Sequence, residues 1–366
     1  MIVEKLELEN YRNYEHLDLT FGNKTNILYG RNAQGKTNIL EAIFVSSTTK
    51  SHRGSADKEI IRFEKEESHI KLLVKKRDVP YRIDMHLKKN RPKGIAINGI
   101  PIKRASELFG VVNVVFFSPE DLDIIKGGPA KRRRFIDMEL CQLDKIYVSN
   151  LVNYNKCLMQ RNKLLKESDY SSQFMDMLDI WDMQLAHYGS QVMSRRMQFV
   201  NELNEIIFDI HKELTNRQEE IKIIYEPCIE KDDIYHTLKS NRKRDLRQKI
   251  TSAGPHRDDI SFYNKNIDLR KFGSQGQQRT AALSMKLAEI ELVRRLTRDT
   301  PVLLLDDVLS ELDSDRQTHL LNSLHETQTV ITCTGLDEFV ENRFDIDRIF
   351  RVEDGHVTEC GNEILQ

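Results

Sequence analysis

Gly30-Arg31-Asn32-Ala33-Gln34-Gly35-Lys36-Thr37 is the stretch that decides how this chain folds. Ile27, Leu28 and Tyr29 ahead of it read as a short apolar strand, and Asn38-Ile39-Leu40-Glu41-Ala42-Ile43-Phe44 behind it has the spacing of a helix. Strand, glycine loop and helix in that order form the context of a phosphate-binding P-loop, G-x-x-x-x-G-K-T. Gly30 and Gly35 let the backbone curl so that the amides of Arg31, Asn32, Ala33 and Gln34 turn inward, and the helix N-terminus adds its positive dipole end. Lys36 is then set to reach the β and γ phosphates, and the Thr37 hydroxyl to ligate Mg²⁺. A glycine turn before an ordinary helix is the plain alternative, and the strand in front of the loop weighs against it.

Downstream, Val302-Leu303-Leu304-Leu305-Asp306-Asp307 supplies the carboxylates such a loop needs. Four apolar residues read as a central parallel strand. Asp306 at its end is placed to hold Mg²⁺ or its water shell, and Asp307 to orient or deprotonate an attacking water. A third element, Phe272-Gly273-Ser274-Gln275-Gly276-Gln277-Gln278-Arg279, opens a long helix and makes a second anion site from a hydroxyl, free amides and a dipole. Two such sites suit an ATPase that traps its nucleotide between two protomers.

The chain has 366 residues, room for two or three domains, with 39% hydrophobic and 31% charged residues. Its apolar runs are far too short for a membrane helix. The net charge of −1 gives no global field for a polyanion, so contact with nucleic acid requires local basic patches. Cys141, Cys157, Cys228, Cys333 and Cys360 show no C-x-x-C spacing, which argues for reduced thiols. The start, MIVEKLELEN, alternates apolar and charged residues and lacks the apolar core of a signal peptide, so the expected compartment is the cytoplasm, with no membrane partner.

Alternation over Ile2–Leu8 and Leu17–Phe21 predicts two strands joined by a polar turn at Arg12, Asn13 and Tyr14, and residues 60–117 read mainly as further strands, ending in Val111–Phe117. From Ser118-Pro119 to about residue 215 the pattern is helical. Its last stripe, Trp181 to Leu214, read as one helix, is about 51 Å long. Strands and helices alternate at both ends, so the expected fold is an α/β P-loop ATPase head with an inserted, mainly helical lobe: residues 1–118 and 245–366 form the ATPase domain, and 119–244 the lobe.

Ser-Gln-Gly-Gln-Gln at 274–278 resembles the signature motif of ABC-type ATPases, and Ser310-Glu311-Leu312-Asp313 resembles their D-loop. More narrowly, Tyr11-Arg12-Asn13-Tyr14, the P-loop with its Asn-Ile-Leu-Glu-Ala-Ile continuation, Ser118-Pro119-Glu120-Asp121-Leu122, Gly127-Gly128-Pro129 with Arg132-Arg133-Arg134-Phe135, Gly254-Pro255-His256-Arg257-Asp258-Asp259 and Leu305-Asp306-Asp307-Val308 resemble the RecF family of bacterial DNA replication and repair ATPases. The resemblance implies that Ser274 to Gln278 complete the nucleotide site of a second protomer, and that ATP-induced head-to-tail pairing closes a homodimer on duplex or gapped DNA. It also implies slow, DNA-stimulated hydrolysis, a role in gap repair, replication-fork recovery and the SOS response, and the mediators RecO and RecR as partners. The two rival readings are a chromosome-organising head of the SMC type and a transporter ATPase subunit. The interval between Thr37 and Val302 is too short for an SMC arm.

Departures from the ABC pattern bear on the second rival. Asp307 stands where those enzymes commonly carry Glu, and its shorter reach suggests slow hydrolysis. Ile331-Thr332-Cys333-Thr334 stands where a transporter has its switch histidine, leaving Thr332 or Thr334 as γ-phosphate contacts, and no Gln follows Val111–Phe117. Three basic runs could meet a phosphate backbone: Lys131 to Arg134; Arg242, Lys243, Arg244, Arg247 and Lys249; and Lys88, Lys89, Arg91, Lys93, Lys103 and Arg104. Each could equally be a solvated face paired with nearby acids. His256 with Arg257, Asp258 and Asp259 reads as a turn with side-chain caps and is assigned no chemistry.

Overall fold

The computed structural model describes residues 1–167, 171–313, 316–317, 320, 327–336 and 346–361. They fall into two compact units. The first holds residues 1–121 and the described residues from 289 onward; the second is Leu122–Ala288.

The strands run β1 (Ile2–Tyr11), β2 (Tyr14–Thr20), β3 (Thr25–Tyr29), β4 (Glu67–Lys76), β5 (Val79–Lys88), β6 (Gly94–Ile97), β7 (Ile100–Pro101), β8 (Val114–Phe117), β9 (Lys222–Glu226), β10 (Asp259–Asn264), β11 (Ile267–Asp268), β12 (Val302–Asp306), β13 (Thr329–Cys333), β14 (Ile346–Glu353) and β15 (His356–Cys360). In the first unit β2-β1-β4-β5-β6-β7 make an antiparallel sheet. Its alternation buries Leu6, Leu8, Ile70, Leu72, Val74, Ile83, Met85 and Leu87 on one face. The second sheet has the order β15-β14-β3-β13-β12-β8, with β14, β3, β13, β12 and β8 mutually parallel. Every residue of β8, β12 and β13 is buried, as continuous apolar runs in a covered parallel sheet must be.

Helix α1 (Lys36–Thr48) is buried at every position from Ile39 to Thr48, because it packs against strands of both sheets. Its Ser46 and Thr48 hydroxyls stay satisfied there by donating to the carbonyls of Ala42 and Phe44, at 2.8 and 2.7 Å. The strand expected over Val111–Phe117 is confined to Val114–Phe117.

The second unit is built on α2 (Pro129–Leu143), α3 (Lys145–Glu167) and α4 (Ser172–Leu214). The last is longer than its apolar stripe indicates. Ser171 caps its N-terminus by accepting from the Phe174 amide at 3.2 Å, so the 43-residue helix is about 64 Å long. Residues 245–288, grouped with the ATPase part from the sequence, lie in this unit: β9, β10 and β11 form an antiparallel sheet, with Ile260 opposite Tyr225 and Phe262 opposite Ile223. Two short basic or polar segments also belong to it: α5 (Arg242–Gln248), and the start of α6 (Gln275–Thr297). Buried Arg161 ties α3 to α4 and α5 through Asp182 at 2.6 Å and Asp245 at 2.7 Å.

Among the described residues, no helix is long and apolar enough to cross a membrane.

Candidate nucleotide site

The loop between β3 and α1 depends on backbone conformations that favour glycine. Gly30 has φ +151° and Gly35 has φ +111°. A Cβ on Gly30 would sit 2.3 Å from the Val352 carbonyl, and one on Gly35 would sit 2.4 Å from Asn13 Nδ2. Between them Ala33 also takes a left-handed φ of 66°. Arg31, Asn32 and Ala33 are exposed, whereas Lys36 is buried. Its Nζ donates to the carbonyls of Gly30 at 2.5 Å and Arg31 at 2.9 Å, and so sits inside the ring that the loop describes. Burial pushes the Lys36 pKa below that of an ordinary lysine, against the opposing pull of Asp307, Cys333 and Asp306.

The sheet order explains how residues far apart in sequence converge. β13 lies between β3 and β12, all three are parallel, and Thr332 pairs with Leu28 on one side and Asp306 on the other. Their carboxyl ends therefore open on one crevice, where α/β sheets bind ligands. There the Thr37 hydroxyl donates to Asp306 Oδ1 at 2.7 Å, and the Thr332 hydroxyl donates to the same oxygen at 2.8 Å. Asp307 has a left-handed φ of 53°, and its amide donates to Thr332 Oγ1 at 3.0 Å. Burial raises the Asp306 pKa, and the two hydroxyls only partly offset it. Of the two threonines expected near the γ phosphate, Thr332 is thus buried beneath Asp306, and Thr334 is exposed.

A hard-oxygen pair of this kind fits Mg²⁺. Adjacent oxygens of an octahedral Mg²⁺ lie about 2.9 Å apart, close to the Thr37–Asp306 separation. From the D-loop-like segment, the Ser310 hydroxyl donates to the Asp307 carbonyl at 2.9 Å. The Glu311 side chain lies outside the described residues.

The turn between β1 and β2 has a role that its sequence did not reveal. Arg12 grips Glu41 of α1 with Nε at 2.8 Å from Oε2 and Nη2 at 2.7 Å from Oε1, and Ser51 donates to the same carboxylate. Burial alone would raise the pKa of Glu41; the Arg12 and Ser51 hydrogen bonds outweigh it and hold the carboxyl below the usual range. Asn13 donates to the Gln34 carbonyl at 3.0 Å and accepts from Asn38 at 2.8 Å. The turn therefore braces both the loop and the helix behind it. A polar Arg-Asn turn gives a signal for this only once the strand order is known.

In the second unit, Ser274 and Gln277 form a reciprocal cap at the start of α6. The Gln277 amide donates to Ser274 Oγ at 3.2 Å, and the Ser274 amide donates to Gln277 Oε1 at 2.9 Å. Gln277 is also fixed by donating to Glu219 at 3.0 Å, and buried Gln278 by donating to the Leu269 carbonyl at 2.7 Å. Ser274, Gln275 and Gly276 remain exposed.

The basic runs separate by burial. Arg132 is 1% exposed and holds Asp259 with Nε at 2.6 Å and Nη2 at 2.8 Å. Arg133 donates to the Asp258 carbonyl at 2.7 Å, and Lys131 pairs with Asp123. Much of that run, like the Gly254–Asp259 segment it binds, is architecture. Lys88, Lys89 and Lys93 pair with Glu67, Glu66 and Asp57. In the remaining run Arg242 is tied to Asp179 and Asp182, while Lys243, Arg244, Arg247 and Lys249 are exposed.

The RecF/RecN/SMC N-terminal domain family matches residues 2–358. The chain is 61% identical over 359 residues to the DNA replication and repair protein RecF of Lachnospira eligens, covering 98% of this chain and 99% of that one. It is 45% identical over 367 residues to RecF of Clostridium acetobutylicum, covering 98% and 100%. Among solved structures it matches the recombination mediator protein RecF with ATP, in the RecFOR pathway, at a TM-score of 0.91 and 35% identity over 98% and 97% of the two chains. It shares the fold alone with the Smc head domain of Pyrococcus furiosus, at a TM-score of 0.57 and 16% identity over 99% and 97%. With these likenesses spanning nearly its whole length, the chain belongs to the RecF family.

Proposed function

We propose that this protein is an ATP-dependent DNA-binding protein of recombinational repair and replication-fork recovery, working as an ATP-induced homodimer with slow, DNA-stimulated hydrolysis. The observation that carries the reading is the crevice where Lys36, Thr37, Asp306 and Thr332 meet at the ends of three parallel strands. The full-length likeness to RecF proteins named for DNA replication and repair, one of them with ATP, supports it.

The loop amides of residues 31–36 and the N-terminus of α1 cradle the phosphates. Lys36, released from the Gly30 and Arg31 carbonyls, turns its ammonium to the β and γ phosphates. Thr37 and Asp306 hold Mg²⁺, which when bound neutralises charge on those phosphates. Thr332 keeps the Asp306 carboxylate aimed, and Asp307 orients the attacking water. Ser274 to Gln278, rigid through their capping bonds, complete the site of a second protomer. The exposed cations of α5 meet the DNA backbone, a contact that holds phosphates without reading sequence. RecO and RecR are the expected partners, since the solved relative is assigned to the RecFOR pathway.

Steady-state ATP hydrolysis by the purified protein with and without duplex DNA, against Lys36→Arg as control, tests this. Stimulation by DNA that vanishes in the variant is expected. Hydrolysis indifferent to DNA would overturn the coupling.

A further inference from the structure

The outer face of the antiparallel sheet carries a row of side chains that the nucleotide chemistry does not use. Directly opposed residues on antiparallel strands share a face. The register places His16 opposite Glu9, Glu9 opposite His69, and His69 opposite His86. Alternation along β4 sets Glu67 on the same face as His69, two residues away. The two imidazoles are stacked, with centroids 4.0 Å apart and planes inclined by 23°. His86 Nε2 lies 3.0 Å from Glu67 Oε2. One ligand atom from each of Glu67, His69 and His86 falls within 4.8 Å of the others. Beyond His86 the row ends at Gly94, which has no side chain to cover the ring.

From this geometry we propose that Glu67, His69 and His86 form a surface site for a borderline divalent cation of the Zn²⁺ class. Two imidazoles and a carboxylate are the donor set that such ions favour, and one that Mg²⁺ does not. Ligand atoms around a tetrahedral Zn²⁺ lie about 3.4 Å apart, so binding unstacks the two imidazoles, each ring turning about its side-chain bonds to point a nitrogen at the common ion. Lys88, 3.0 Å from Glu67, is the cation that the metal displaces. A bound ion joins β4 to β5, and an outward fourth position remains for water or for a ligand brought by a partner.

The test is a titration of the untagged full-length protein with Co²⁺, followed by visible d–d absorption, with Zn²⁺ as competitor. The expected result is a tetrahedral Co²⁺ spectrum that Zn²⁺ abolishes. His86→Ala and His69→Ala should each weaken Co²⁺ binding at least about tenfold, while His16→Ala, on the same face but outside the triad, leaves it unchanged. ATP binding by each variant shows that the protein is folded. Absence of the spectrum in the unmodified protein would overturn the proposal. So would a spectrum that persists at unchanged affinity in both triad variants, or one with the near-ultraviolet charge transfer of thiolate ligation.

Discussion

Thr37 and Asp306, 269 residues apart in sequence, are joined by a 2.7 Å hydrogen bond from the hydroxyl of one to the carboxylate of the other. Because Thr332 donates to the same oxygen, two hydroxyls converge on one carboxylate that burial disfavours in its charged form. The cation proposed for the pair would offset a cost that the resting fold carries.

That cost sets the first prediction. A carboxyl whose pKa is raised on folding contributes stability below its unfolded pKa, and the contribution is lost as pH rises through the folded pKa. At pH 7 the ionised Asp306 therefore destabilises the protein. Asp306→Asn keeps both hydroxyl donors and removes the charge, so thermal melting should show a higher Tm at pH 7 and a smaller gain near pH 4. Hydrolysis of ATP should fall at least about 100-fold in the same variant. A variant less stable than the parent at pH 7 would contradict this account of the site.

His256 gives a pH dependence of opposite sign. It is half-buried in the second unit, where Nδ1 accepts from Tyr154 at 2.6 Å and Nε2 donates to the Thr251 carbonyl at 3.1 Å. Burial, helped by Arg257 and Arg133, pushes its pKa down to about 4. A histidine depressed in this way stabilises the fold above its unfolded pKa, and the contribution is lost as pH falls through about 6.5 towards 4. Urea unfolding should show stability declining by about 3 kcal/mol across that window, and His256→Asn should flatten the decline. An unchanged slope in the variant would assign the acid sensitivity to other groups.

The loop between β3 and α1 was legible because its pattern is local. Gly30, Gly35, Lys36 and Thr37 stand at fixed spacing, and the apolar run 302–305 announces its own burial. The start of α4 was hidden, since the helix is set by the Ser171 cap rather than by the apolar stripe that begins later. The brace between Arg12 and Glu41 was hidden for a different reason, because only the pairing of strands brings the turn to α1. Charge runs were least informative of all. Arg132 and Lys243 look alike in sequence, yet one is buried on Asp259 and the other is exposed.

Ser274 serves two roles that substitution can separate. It caps α6, and in the proposed dimer it faces the phosphates of the other protomer. Ser274→Ala removes both and should destabilise the protein by about 1 kcal/mol. Ser274→Asp keeps a good cap but places a negative charge against the phosphates. Its melting temperature should match the parent, while ATP-induced dimerisation in analytical ultracentrifugation disappears. Dimerisation that survives in Ser274→Asp would remove this residue from the shared site.

Arg132 and the α5 cations should part in the same way when DNA binding is measured against salt. Each phosphate contact contributes about 0.9 to the slope of log K against log salt. Lys243→Ala, Arg244→Ala and Arg247→Ala combined should leave the fold intact, since all three side chains are exposed, and should reduce the slope by about 3. Arg132→Ala strands the Asp259 carboxylate that it holds with two hydrogen bonds, and should destabilise the protein by about 3–5 kcal/mol. The protein that remains folded should keep the full salt slope, because Arg132 is committed to Asp259 and offers DNA no free charge. A slope lowered by Arg132→Ala and untouched by the triple variant would move the DNA surface from α5 to the start of α2.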